Sequence, residues 1–339
     1  DVVKCLVENG AEVNAVDDCG ETALGKAANK GHIDVLKFLV VKGAEVNAVF
    51  NSGETALRMA ASAGHVKVVK YLVENGAEVN AVNKWGETAL RMAASAGHVD
   101  VVKYLVENGA EVNAVDKFGK TALRIAAKEG HVKVVKYLVE NGAEVNAVNE
   151  WGKTALCMAA SAGHVDDVKC LVENGAEVNA VHKWGETALR MAASAGHVDV
   201  VKCLVENGAE VNALYYCYET ALGKAANKGH IDVVKCLVEK GAEVNAVFNS
   251  GETALRMAAS AGHVDVVKCL VENGAEVNAL YYCYETALGK AANKGHIDVV
   301  KCLVEKGAEV NAVFNSGETA LRMAASAGHV DVVKCLVEN

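Results

Sequence analysis

The stretch Asn83-Lys84-Trp85-Gly86-Glu87-Thr88-Ala89-Leu90-Arg91-Met92-Ala93-Ala94-Ser95-Ala96-Gly97-His98-Val99-Asp100-Val101-Val102-Lys103-Tyr104-Leu105-Val106-Glu107-Asn108-Gly109 decides the fold. Thr88 suits a helix N-cap, because its hydroxyl can accept a bond from an unpaired N–H of the first turn. Ala89 to Ala96 is rich in strong helix formers, and Gly97 can take the left-handed conformation that ends the helix. Val99, Val102, Leu105 and Val106 recur at helical spacing, so a second helix carries one apolar face until Gly109 stops it. A polar excursion then leads to the next turn, whose tip contains another glycine.

Outward from this unit the pattern repeats. His32, His65, His98, His131, His164, His197, His230, His263, His296 and His329 stand 33 residues apart, and only His182 lies off that lattice. Glycines keep the same period before each lattice histidine and at the head of each Gly-Ala-Glu-Val-Asn segment. Helices this short are unstable alone in water, so each unit must bury its apolar face on the next. A 33-residue turn-helix-helix period carrying G-x-T-x-L-x-x-A-A-x-x-G-H and G-A-x-V-N-A resembles the ankyrin repeat. The resemblance implies an all-α solenoid of about ten units, elongated and curved. On this reading residues 1–339 are one continuous array, with a partial first repeat over 1–15, full register over 16–339 and both ends falling within a repeat.

The departures from the family pattern are consistent along the chain. The family's Thr-Pro-Leu-His becomes Thr-Ala-Leu-Arg, Thr-Ala-Leu-Gly or, once, Thr-Ala-Leu-Cys, and the chain contains no proline. Arg58, Arg91, Arg124, Arg190, Arg256 and Arg322 form one column. Two readings of it stand side by side: a spaced positive stripe for an acidic partner, or side chains bonded to backbone near the helix start. Residues 214–273 and 280–339 are identical, and 16–81 is a diverged version of the same 66-residue pair. The array therefore grew by copying two units at a time, and the copies inherited one loss of proline.

Several function classes drop out. The net charge of −9 opposes nucleic acid as the main partner, since phosphate binding needs a basic surface. No apolar run approaches the roughly 20 residues of a membrane span. Catalysis needs an asymmetric constellation, whereas most polar residue types here recur in equivalent places. The lattice histidines read as structural. Cys5, Cys170, Cys203, Cys236, Cys269, Cys302 and Cys335 share one register on the second helix, in which Phe38, Tyr71, Tyr104 and Tyr137 sit in other units. Helices stacked about 8–10 Å apart are too distant for disulfides, which need Cα atoms within roughly 7 Å. The thiols are expected to stay free in a reducing, intracellular and cytoplasmic setting. No cysteine or histidine spacing fits zinc, and no glycine cluster fits a nucleotide. The reading is non-enzymatic, with no catalytic residue, cofactor or metal.

What varies is the four-residue tip of each turn. Thirteen of the chain's aromatics lie there: Phe50, Trp85, Phe118, Trp151, Trp184, Tyr215, Tyr216, Tyr218, Phe248, Tyr281, Tyr282, Tyr284 and Phe314. His182 is also a tip residue and reads as a contact. Rigid aromatic side chains are typical interface anchors, and these fourteen are the expected partner-binding residues. The rival reading has neighbouring tip rings packing on one another to stiffen the turns. Tyr218 and Tyr284 replace the tip glycine, which predicts altered turns there. The function expected is a monomeric protein–protein interaction scaffold, binding another protein through its tips and concave first-helix face. The alternative is a regulatory or targeting array of a larger enzyme or membrane channel.

Overall fold

A computed structural model describes residues 2–214, 219–248, 251–280, 285–314 and 317–339. Among these are 21 α-helices and no strand, with one isolated bridge between Val16 and Thr22. Contacts gather the chain into two units, one of residues 1–159 and 166–177, the other of 160–165 and 178–339. In each unit, first helices of seven or eight residues alternate with second helices of nine, apart from the seven-residue helix Val2–Glu8.

The repeat quoted above shows how sequence makes these elements. Thr88 is extended and its hydroxyl accepts from the Arg91 N–H at 3.2 Å, capping Ala89–Ser95. That helix ends one residue earlier than expected, and Gly97 follows at φ +74°. Ala89, Leu90, Ala93 and Ala94 are buried, so the first helix presents mostly methyl groups and its neighbours can approach closely. In the second helix, Val99–Glu107, the buried residues are Val101, Val102 and Leu105, whereas Val99 and Val106 are only half-buried. The apolar face is thus rotated from the expected one, because Val99 belongs to the exposed first turn.

Two polar devices lock consecutive repeats. His65, His98, His131, His197, His230, His263, His296 and His329 make no side-chain cap at the start of their second helices; each Nε2 instead donates to a carbonyl of the first helix of the preceding repeat, as in His65 to Asn29 (3.0 Å) and His230 to Ser194 (3.1 Å). The ring lies flat against the glycine that ends that helix: a Cβ on Gly31 would stand 2.6 Å from His65 Nδ1. This is the physical content of the Gly-His lattice. The second device is the asparagine of Val-Asn-Ala. Asn47 Nδ2 donates to the Gly76 carbonyl while its Oδ1 accepts from the Glu78 N–H, both at 2.9 Å, and Asn212 repeats the clasp on Gly241 and Glu243.

The second-helix column follows its chemistry. Cys236, Cys269, Cys302 and Cys335 are buried free thiols, and burial pushes the pKa of Cys236, Cys269 and Cys302 upward. In the first unit Tyr71, Tyr104 and Tyr137 hold the same column, each with the lysine of the preceding repeat over its ring at 5.3–5.8 Å.

Candidate interaction surface at the repeat tips

The first residue of a tip sets its build; among the described residues it turns inward in every tip but the first, where Asp17 is exposed. Where that residue carries an acceptor, it holds its own loop. Asn83 Oδ1 accepts the N–H groups of Trp85 and Glu87 at 2.9 and 3.0 Å, Asp116 does so for Phe118 and Lys120 at 2.8 Å, and Asn149 for Trp151 and Lys153. All three brackets are buried. Adjacent tips are tied by backbone, Lys84 N–H to the Ser52 carbonyl and Lys117 N–H to that of Trp85. With the loop fixed from below, the third tip residue projects: Trp85 is 48% exposed, Phe118 46% and Trp151 37%.

Beneath these tips runs a charge network. Arg58 reaches Glu54 and Glu87, Glu87 reaches Arg91 at 2.6 Å, and Arg91 reaches Asp116 at 3.0 Å. Arg124 donates to the Gly119 carbonyl at 2.7 Å, and Arg190 and Arg256 bind Gly185 and Gly251 in the same way. Burial lowers the pKa of Arg124, opposed by the attraction of Asp116. The arginine column is therefore internal bracing and not a positive stripe; Arg322 alone among its members is exposed.

Four of the expected contact residues are corrected by the structure. Phe50, Phe248 and Phe314 occupy the first tip position, have no acceptor to offer the loop, and are buried. Each enters a hole left by a glycine in the arginine column of the preceding repeat. A Cβ on Gly25 would collide with Phe50 Cζ, and Gly223 and Gly289 stand in the same relation to Phe248 and Phe314. His182 is also a first-position residue and only 3% exposed; its Nδ1 accepts from the Trp184 N–H and its Nε2 faces Glu186 at 3.2 Å. It serves as bracket for Trp184, which projects from the second unit at 57% exposure. Tyr215, Tyr216, Tyr218, Tyr281, Tyr282 and Tyr284, with the altered turns expected of them, lie outside the described residues. Among the described residues the one close ring pair involving a tip is His182 with Trp184.

One column escaped the sequence reading. Met59, Met92, Ile125 and Met158 are half-buried on first helices. Met191, Met257 and Met323 continue the column, and in the three remaining repeats the position is Lys26, Lys224 or Lys290, which pairs with the acidic residue just after its own tip: Lys224 with Glu219 at 2.8 Å and Lys290 with Glu285 at 3.1 Å. The methionines and Ile125 thus sit beside the bases of the tips. Their signal was the recurrence of an apolar residue two places after the helix-start alanine-leucine pair, at a position that elsewhere takes lysine.

Among the described residues no group of three His, Cys, Asp or Glu side chains is placed to hold a metal, and no helix is long and apolar enough to cross a membrane.

Comparison with known proteins gives the following. A family model described as ankyrin repeats (3 copies) matches residues 1–83, 75–149, 145–215 and 214–281, and one described as ankyrin repeats (many copies) matches 288–337. A search of curated proteins found no match. Among solved structures the chain is similar to the human ASB11 ankyrin repeat domain, at 31% identity and a TM-score of 0.61, over 66% of this chain and 99% of that one.

Proposed function

The chain belongs to the ankyrin-repeat family, and on that premise we propose that it acts as one continuous, monomeric, non-enzymatic scaffold that binds another protein through its tips. Ankyrin repeats are in general protein–protein interaction modules. The observation that carries the reading is the outward set Trp85, Phe118 and Trp151. These large apolar side chains are held rigidly in solvent by buried brackets, while the aliphatic and alanine core closes without them. Rigid aromatic side chains bind at low entropic cost and are enriched at interface hot spots. The half-buried Met59, Met92, Ile125 and Met158 add adaptable apolar area beside them. Free, buried thiols support a reducing, cytoplasmic setting.

The test is affinity capture with the full chain, identification of the captured partner, and titration of that partner against wild type and a Trp85→Ala/Phe118→Ala/Trp151→Ala variant. Truncating hot-spot anchors costs about 2 kcal/mol or more each, so affinity should fall at least about a hundredfold. An unchanged affinity would remove the tips from the binding surface.

A further inference from the structure

Lysines in this chain fall into two kinds. Beside the phenylalanine-type repeats they are neutralised: Lys26 lies 2.6 Å from Asp17, Lys224 lies 2.8 Å from Glu219, and Lys290 bridges Glu285 and Glu252 at 3.1 and 3.3 Å. Around the outward aromatics of the first unit they are not. Lys84 and Lys117 are exposed at the second tip position, and Lys120 and Lys153 are half-buried just after the tips; none of the four has a carboxylate within ion-pair distance. The acidic groups nearby in sequence are already engaged. Glu87 serves Arg58, Arg91 and Asn83, and Asp116 is buried under Arg91 and two loop N–H groups. Glu150 is the one exposed carboxylate at the crests of these three tips. Lys120 also sits 5.4 Å from the Phe118 ring centroid, so cation and apolar surface are presented together.

A surplus of unpaired ammonium groups among exposed rings, on a chain of net charge −9, is a local feature that needs a complementary occupant. We propose that the surface formed by Trp85, Phe118, Trp151 and Lys84, Lys117, Lys120 and Lys153 binds an extended acidic peptide segment with an apolar side chain at every third position. The proposal rests on the tip-binding reading above and adds the partner's chemistry to it. The period follows from geometry: stacked repeats advance by about 10 Å, and an extended chain advances about 3.3 Å per residue. Every third side chain therefore meets the next ring, and the two residues between place carboxylates against the lysines. Complementary charge of this kind sets specificity and association rate more than raw affinity.

The experiment uses the full chain and fluorescein-labelled peptides of repeated Phe-Glu-Glu, Phe-Ser-Ser and Phe-Lys-Lys triplets, with polyuridylate as a fourth probe, read by fluorescence anisotropy. Phe-Glu-Glu is expected to bind about tenfold tighter than Phe-Ser-Ser, and Phe-Lys-Lys not at all. The exposed-site variant Lys84→Glu/Lys117→Glu should weaken Phe-Glu-Glu binding by at least about tenfold and flatten its salt dependence, with thermal unfolding unchanged. Lys84→Gln/Lys117→Gln should fall between the two. Equal binding of Phe-Ser-Ser and Phe-Glu-Glu would overturn the acidic assignment, and if that binding were still lost in Trp85→Ala/Trp151→Ala the tip-binding reading would survive. Tighter binding of polyuridylate than of Phe-Glu-Glu would overturn the proposal in favour of nucleic acid. Absence of binding by every triplet peptide would overturn it too, while the natural partner's dependence on the tip rings separately decides the broader reading.

Discussion

The tips of Phe248 and Trp85 are closed by matching backbone bonds, Gly251 N–H to the Phe248 carbonyl and Gly86 N–H to the Asn83 carbonyl, and use an aromatic residue for opposite ends. In one, the ring sits at the first position, is 4% exposed and plugs the hole over Gly223. In the other, Asn83 takes the first position and the ring, two residues later, is 48% exposed. The difference teaches that ring direction is set by tip position and by what the preceding repeat offers beneath. Among the described residues the buried first-position residues either bracket their own loop by hydrogen bonds or fill a cavity in the neighbour, whereas Asp17 brackets its loop while exposed.

The sharpest way to break this comparison is to attack the plug. Phe248→Ala should lower stability by about 3 kcal/mol, the usual order for emptying a buried Phe site, seen as a reduced urea midpoint. Gly223→Arg, which forces a side chain into space already occupied 2.5 Å away, should cost about 1–3 kcal/mol by overpacking. Combining Gly223→Arg with Phe248→Asn rebuilds the arginine-and-bracket arrangement of the other repeats. It should recover more stability than the single changes predict by addition; strict additivity would mean that hole and plug do not recognise each other.

A smaller effect tests what the two kinds of tip share. Thr121 and Thr253 are both extended before their helices, at ψ 165°, a conformation that tolerates a following proline. Ala122→Pro and Ala254→Pro should each stabilise by about 0.4–1 kcal/mol, through the unfolded chain. Equal gains in urea denaturation would show that helix starts are indifferent to tip type, and a gain at Ala122 alone would show that the Phe248 plug reaches the helix.

The smallest stability effect belongs to the outward rings. Trp85→Ala and Trp151→Ala should each change thermal unfolding by less than about 1 kcal/mol, against the larger loss at Phe248. A loss as large as that of Phe248→Ala would move these tryptophans from the surface to the core.

The 33-residue lattice, the threonine caps, the left-handed glycines and the stacking of short helices were legible because each depends on residues within one repeat. The same locality failed at the tips. Whether Phe50 or Phe118 faces solvent is decided by Gly25 and Arg91 in the preceding repeats, about one period upstream, and composition counts both rings as tip aromatics. The arginine column stayed ambiguous for the same reason. Arg58 and Arg91 reach Glu87 and Asp116 of the following repeat, pairings that no single repeat displays. The face of the second helix was misjudged by two residues, since Val99 and Val101 fit the helical period equally well on paper and differ in distance from the exposed first turn.

The plug also has a consequence for inheritance. Glycine hole and phenylalanine plug lie in successive repeats, so neither is useful alone. A crossover that copied one repeat would set a phenylalanine tip over an arginine, or leave a glycine hole empty. Copying two keeps the pair intact, and the stretches beginning at Tyr215 and Tyr281 each carry one complete pair, Gly223 with Phe248 and Gly289 with Phe314. Within the blocks that carry a hole and a plug, the smallest segment that can be duplicated without harm is thus twice the length of the visible period.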